Sequence, residues 1–271
     1  MQHAIGIAAT QVNGLREMFG SHTKSFHPGR AAQSGLIAAI LASNGYTSSL
    51  QGLEAKRGWA SVVSVENNLD AHIQSLGRVW EITKNAYKPF PCGIVVHPII
   101  DGCIQLHEQF QAKGENISSI RSVHLRVHPL VLELTGEETP QDGLQAKFSV
   151  FHGGAIGLLL GKAEPAQFED EVVLSDEVVA VRSKIYATVD DSLAADETYI
   201  TLTMQDGTTI GHHISHAVGS VELPMTDAQL EEKFVGQCLP ILGLDGVEAA
   251  SKACWALQSS SDVGDIARSL L

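Results

Sequence analysis

Gly20-Ser21-His22-Thr23-Lys24-Ser25-Phe26-His27-Pro28-Gly29-Arg30 runs directly into Ala31-Ala32-Gln33-Ser34-Gly35-Leu36-Ile37-Ala38-Ala39-Ile40-Leu41-Ala42, and the reading of the fold turns on this junction. The first part sets two imidazoles, one ammonium and one guanidinium within His22 to Arg30, in a chain of formal net charge −13. The second part is small and apolar at helical spacing, which predicts a helix over residues 28–43. Pro28 then falls in the first turn, where its missing N–H is harmless. A helix N-terminus carries free N–H groups and partial positive charge, so it favours anions. With Lys24, Arg30 and a protonatable His27 beside it, the stretch suits a carboxylate or a phosphate. The same residues also suit a solvated polar loop ahead of a core helix, and composition does not separate the two.

Around this stretch the chain has the bulk composition of a globular protein. Its 271 residues can bury a substantial core in one large domain or two, and 44% hydrophobic with 18% charged residues argues against disorder. The acidic balance disfavours nucleic acid and anionic membranes as partners. Cys92, Cys103, Cys238 and Cys254 are widely spaced with no CxxC pair, so zinc and iron–sulfur readings lack support and free thiols in a reducing compartment are expected. No apolar run is long enough to span a bilayer, and no signal or transit peptide is visible. The expected location is therefore the cytoplasm or the mitochondrion.

Helical spacing is read over residues 4–18, a C-terminal signal at Gly45, and short helices near 50–55 and 70–76. The character changes near Val79, where Trp80, Ile82, Ala86 and Tyr87 suggest a strand that Pro89 and Pro91 break. A helix is expected over 98–110. Residues 120–127 alternate as a half-buried strand. Residues 136–143 read as a polar loop, 144–160 as one buried helix and 175–184 as a helix with a serine N-cap. Two strands, 199–204 and 208–215, are joined by Gln205-Asp206-Gly207, a strong turn signal. Thr226-Asp227-Ala228-Gln229 opens a capped helix running to Gly236, and helices over 246–257 and 262–270 close the chain. The fold class is α+β: an all-α domain interrupted by an α+β insertion. The segments are 1–84 and 222–271 for the helical domain, and 85–221 for the inserted lid.

Gln11-Val12-Asn13-Gly14-Leu15-Arg16-Glu17-Met18-Phe19-Gly20 followed by Thr23 to Ala32, Lys88-Pro89-Phe90-Pro91-Cys92-Gly93 with His97-Pro98, and Ala146-Lys147-Phe148-Ser149-Val150-Phe151-His152 together resemble the MmgE/PrpD family. That family includes 2-methylcitrate dehydratase, cis-aconitate decarboxylase and iminodisuccinate epimerase. The resemblance runs over essentially the whole chain in the same order. It implies a helical domain with an inserted lid and a site between them, no cofactor, a small di- or tricarboxylate as substrate, and a homodimer when full length. It also implies that a large N-terminal part of the helical domain, with an acidic-His motif and further catalytic histidines, is absent here, so that the chain looks like a fragment.

The resemblance further assigns site residues. Lys24 matches a family lysine of the site, His27 a position in the same loop, and Lys88 a lysine at the start of the lid. His97 stands at a helix start within the second segment. His152 takes a place where some members carry tyrosine. Lys24, His27, Lys88 and His152 are the catalytic candidates; Lys24, His27, Arg30, Lys88 and His97 are the carboxylate-binding candidates, with His22 behind them. Lys24 and Lys88 converging with His27 on one cleft is the geometric expectation. Each also has a plainer reading: a surface lysine, a helix cap, a salt bridge to the lid. His212, His213 and His216 cluster in Gly211-His212-His213-Ile214-Ser215-His216, but the sequence shows no carboxylate partners for them, so no metal is expected. The implied reaction is dehydration of 2-methylcitrate or another alkylcitrate. Decarboxylation of cis-aconitate and epimerisation are the alternatives within the family. An inactive remnant that binds carboxylates, or associates with a full-length paralogue, is the alternative outside catalysis.

Overall fold

The computed structural model describes residues 1–66 and 68–269. Contacts divide the chain into two compact units, Met1–Asn85 and Ala86–Leu271, and by this division the C-terminal helices belong with the second. The chain is α+β, with helices in both units and one four-stranded sheet in the second.

The first unit holds α1 (Gln2–Ala9), α2 (His22–Ser43), α3 (Trp59–Val63) and α4 (Leu69–Ser75). α1 ends well short of the helix expected over 4–18, because Asn13-Gly14 turns the chain with Gly14 at φ +110°. The break before α2 also comes early. Gly20 has φ +80° and Ser21 is extended, so the helix starts at His22 and not at Pro28. The basic stretch is therefore helical, and Pro28 lies inside the helix. A proline there has no N–H for the carbonyl four residues back, so the Lys24 carbonyl loses its usual helical donor. Asn44 and Gly45 end α2 with Gly45 at φ +84°, as its sequence predicts. Residues 47–58 form turns where a short helix was expected. They are tied to α1 by Ser48, whose N–H donates to His3 Nδ1 at 3.0 Å and whose Oγ donates to the His3 carbonyl at 3.0 Å. The strand expected near 79–87 is a 3-10 turn, Glu81–Lys84, with no partner strand among the described residues. Apolar residues alone do not make a strand without an edge to pair with.

In the second unit come α5 (His97–Lys113), β1 (Ile120–Val127), α6 (Pro129–Thr135), α7 (Gly143–Ala146), α8 (Val150–Leu160), α9 (Asp170–Val173), α10 (Asp176–Arg182), β2 (Ile185–Val189), β3 (Thr198–Met204), β4 (Thr209–Ile214), α11 (Asp227–Trp255) and α12 (Val263–Ser269). The sheet order is β2-β1-β3-β4, with β1 parallel to β2 and the other pairs antiparallel. Ile120, Val123, Leu125 and Val127 are buried along β1, as the alternation predicts. β3 pairs Leu125 with Ile200 and Val123 with Leu202, so both strands press one apolar face into the core. The opposite face carries polar and aromatic pairs: His124 stacks on Tyr186, Tyr199 stacks on His213, and Arg126 lies over the Tyr199 ring at 4.6 Å.

α5 and α8 complete the core, and glycines set their spacing. A Cβ at Gly157 would stand 3.0 Å from the Ile100 carbonyl, and one at Gly153 only 2.6 Å from Val96 Cγ1. The single helix expected over 144–160 is split at residues 147–149, because Ser149 caps a new helix by accepting from His152 N at 3.0 Å. Ser175 occupies the N-cap of α10, but its hydroxyl donates to the Val172 carbonyl instead of capping. The Asp206-Gly207 turn joins β3 and β4 as expected, with Gly207 at φ +88°. Thr226 and Gln229 form a reciprocal capping box at the start of α11. The two helices expected there meet at Gly243, whose φ +66° and ψ 176° kink the run. α11 buries only Val247 and Ala250. Residue 270 of the expected last helix lies outside the described residues. Among the described residues no helix is long and apolar enough to cross a membrane.

Gly157→Val is expected to destabilise the chain by about 1–3 kcal/mol, since the added atoms meet the backbone of α5. Gly35→Ala, in α2 with nothing within 4 Å of the added Cβ, is expected to stabilise by up to about 1 kcal/mol. Urea unfolding of the two variants checks the pair; equal shifts would mean that α5 and α8 do not pack through these glycines.

Candidate functional site

Each unit carries one cluster of the basic candidates. In the first, His22, Lys24, His27 and Arg30 sit on the opening turns of α2. Lys24 and His27 are three residues apart, as are His27 and Arg30, so neighbours in this series share a helix face. Lys24 is exposed, with Nζ 5.9 Å from the Phe19 ring centroid. His27 is half-buried against Gly14, where a Cβ would come within 3.2 Å of Nδ1. Arg30 donates to Gln33 Oε1 at 2.7 Å. His22 is exposed. A cavity of about 1000 Å³ in this unit is lined by Gly6, Ile7, Leu41, Tyr46 and Trp59 among others, and by none of these four.

The second cluster surrounds the proline-stiffened segment ahead of α5. Lys88 Nζ donates to the Cys92 carbonyl at 2.9 Å, four residues along the chain. Lys233, on α11, donates to the Lys88 carbonyl at 2.6 Å. His97 opens α5 with Pro98 behind it, and only 3% of it is exposed. Its ring meets Phe90 edge-on at 5.3 Å, and its Nε2 is buried without a hydrogen-bond partner among the described residues. Burial first, and then the Lys88 cation, push its pKa down to about 4, against backbone hydrogen bonds with Cys92 and Phe90 that raise it. His97 is thus a neutral imidazole at pH 7. Burial likewise lifts the Cys92 thiol to about 12, although Lys88 and Lys147 pull it down. Lys147 and Lys233 were not among the sequence candidates. Lys147 lies in a segment read as continuous buried helix, and Lys233 on a helix read only for its cap; neither signal marks a cation near Cys92 or the Lys88 carbonyl.

His152 is in the core, 0% exposed. Its Nε2 lies 2.9 Å from the Gln167 carbonyl, which can only accept, so Nε2 carries the proton and Nδ1 is left a buried acceptor with no partner among the described residues. Burial lowers its pKa to about 4, and Arg182 adds to this. Arg182 itself donates to the Val173 carbonyl at 3.0 Å. A proton-carrying role for His152 therefore requires the start of α8 to uncover it.

A cleft of about 450 Å³ lies beside the second cluster, with Phe90, Asp101, Gln105, Lys162, Glu164 and Lys233 on its walls. Asp101 is buried there and accepts from Val218 N at 2.9 Å and from Gln105 Nε2 at 2.9 Å. The histidine tract near β4 does have partners, contrary to its sequence reading. His212 lies 2.9 Å from Gln105 Oε1, His213 2.9 Å from Glu197 Oε1, and His216 2.8 Å from Asp196 Oδ2. These partners come from α5 and from the turn before β3, and sequence proximity to the tract could not reveal them.

Comparison with known proteins supplies a context. The model of the MmgE/PrpD C-terminal domain matches residues 90–257, and that of the MmgE/PrpD N-terminal domain matches residues 1–72. Cis-aconitate decarboxylase of Aspergillus terreus is 24% identical over 254 residues, covering 86% of this chain and 52% of that protein. The human cis-aconitate decarboxylase is 24% identical over 268 residues, covering 96% and 55%. The 2-methylcitrate dehydratase of Salmonella typhimurium is 28% identical over 108 residues, covering 40% and 22%. The chain spans about half the length of the decarboxylases it matches.

Two outcomes follow from the burial of these groups. Below pH 6.5 an unfolded chain protonates its histidines, while folded His97 and His152 resist protonation until about pH 4. Stability is therefore present above 6.5 and falls as pH drops through that window, by about 2 kcal/mol per histidine at pH 5. Urea unfolding at pH 7 and pH 5 checks this, because few carboxylates titrate in that interval; a flat profile would mean that both rings are solvated. Iodoacetamide should modify exposed Cys254 in the folded protein, while buried Cys92 and Cys103 react only on unfolding. Peptide mass mapping over time distinguishes them.

Proposed function

The chain belongs to the MmgE/PrpD family, and we propose that it forms part of a lyase acting on a small citrate-like di- or tricarboxylate, by dehydration of 2-methylcitrate or another alkylcitrate. What carries this reading is the match of both family domains in order, each over a unit with its own cluster of basic residues. In this reading residues 85–221 act as a lid on a helical domain built from 1–84 and 222–271, and the complete enzyme works as a homodimer without a cofactor. In the same reading Lys24, His27, Arg30, Lys88 and His97 are the carboxylate-binding residues, and Lys24, His27, Lys88 and His152 the catalytic ones.

The chemistry needs cations for several carboxylates, a base for a proton next to a carboxylate, and an acid for the departing hydroxyl. The ammonium groups of Lys24 and Lys88 hold carboxylates and stabilise the negative charge that builds up when the proton leaves. The neutral ring of His97 offers an acceptor to a substrate hydroxyl or carboxylic acid. The His27 imidazole is the group placed to carry a proton, and His152 joins it if α8 opens.

Decarboxylation of cis-aconitate is the second reading, and one observation favours it. The decarboxylases match 86% and 96% of this chain, whereas the Salmonella dehydratase matches 40%. Epimerisation ranks third. A non-catalytic carboxylate-binding role stands against all three.

Catalytic groups that act as a unit are strongly non-additive, so part of a set gives little rate. The 271-residue polypeptide alone is expected to be nearly inactive on 2-methylcitrate and cis-aconitate. A chimera extended with the upstream segment of a full-length relative is expected to turn over one of them, and Lys24→Ala to slow it by about 100-fold or more. Product analysis by chromatography with both substrates separates dehydration from decarboxylation. An inactive chimera that still binds citrate would favour the non-catalytic role, and an active one indifferent to Lys24→Ala would remove Lys24 from the site.

A further inference from the structure

We propose that Asp196, His216 and Glu222 form a binding site for a divalent cation of the zinc class. The three residues come from separate places in the second unit: the turn ahead of β3, the chain just past β4, and the loop that leads toward α11. His216 Nδ1 stands 2.8 Å from Asp196 Oδ2 and 4.0 Å from Glu222 Oε2, and one donor atom of each residue lies within 4.8 Å of the others. An ion with metal–ligand bonds of about 2.0–2.2 Å holds neighbouring donors about 3.0–3.4 Å apart. The observed spacings bracket that value, so small side-chain rotations bring all three donors onto one ion.

The surrounding charge points the same way. Asp196, Glu197 and Glu222 crowd together, and among the described residues each of their ion pairs is to a histidine, His216 or His213. No fixed ammonium or guanidinium among those pairs competes for the carboxylates. Histidine exchanges a proton for a metal ion near neutral pH, which lysine and arginine do not do. One imidazole nitrogen with two carboxylate oxygens suits zinc better than calcium or magnesium, which take oxygen ligands. The side chains are 42%, 42% and 53% exposed, which gives an ion entry and leaves room for water to complete its shell.

The backbone on which the donors sit is fixed from several sides. Glu197 Oε2 accepts from Ala194 N at 3.1 Å, Gly219 N donates to the Leu223 carbonyl at 2.8 Å, and Val218 N donates to buried Asp101. At Gly219 this loop passes so close to the Tyr87 carbonyl and Pro89 that a Cβ would collide with both. The bound ion ties the loop to the turn before β3, and so holds the wall against which Lys88 is carried. This role does not depend on which carboxylate the enzyme takes, or on whether the chain is catalytic.

The test is calorimetric titration of the EDTA-treated 271-residue chain with zinc chloride, paired with cobalt(II) absorption spectra. Saturable binding of one ion per chain with Kd below about 100 μM, with a rise in Tm, is the expected result. Loss of a ligand weakens binding at least as much as loss of a supporting partner does, about tenfold or more. His216→Gln and Glu222→Gln should each do so, and His72→Gln, on α4, should not. All three positions are exposed, so the variants keep their fold by circular dichroism; Glu222→Gln conserves shape and decides the matter if His216→Gln does not. No binding at 100 μM, or binding unchanged in both His216→Gln and Glu222→Gln, overturns the site.

Discussion

The close approach of α5 to α8 is the constraint on which the second unit depends. Gly153, Gly154 and Gly157 present no side chain to Ile99, Ile100 and Cys103, so the two helices meet almost backbone to backbone. That contact closes the core under the apolar face of the sheet. It also fixes two helix starts, and each start carries a buried histidine. His97 and His152 are neutral for the same reason: the packing that orders them excludes the water that would solvate their charged forms. Stability and the protonation state of these two rings are therefore coupled through burial.

Much of this was legible from sequence where the pattern was local. The alternation of β1, the Asp-Gly turn, the Thr226–Gln229 box and the helix over α5 all depend on residues a few positions apart. The order of elements was enough for the α+β class. What escaped detection depended on partners far along the chain. β2 is a short edge strand with one buried residue, so its alternation is weak, and it exists because β1 offers it a parallel edge. The apolar residues near 79–87 gave a strand-like pattern but found no such edge.

The basic residues show the same division. Sequence words nominated Lys24, His27, Lys88 and His97 as candidates, because the family segments that contain them are contiguous. Lys233 was invisible, since nothing in its own helix shows that it reaches the Lys88 carbonyl. The partners of His213 and His216 were hidden likewise, because they lie in the turn before β3, close only in the folded chain. The Ser149 cap is a subtler case. A serine within an apolar run reads as tolerated in a helix, yet it starts a new one, and the break puts His152 in the first turn of α8.

Pro28 has a mechanical consequence. A proline within a helix removes one rung of the hydrogen-bond ladder and crowds the carbonyl four residues earlier. In α2 that rung lies between Lys24 and Pro28, so the opening turns are joined to the rest of the helix by a joint with one bond fewer. Bending there swings Lys24 and His22 relative to Arg30 without unwinding the rod beyond it. The Lys24 ammonium can thus shift its position while Ala38, buried further along, stays where it is packed.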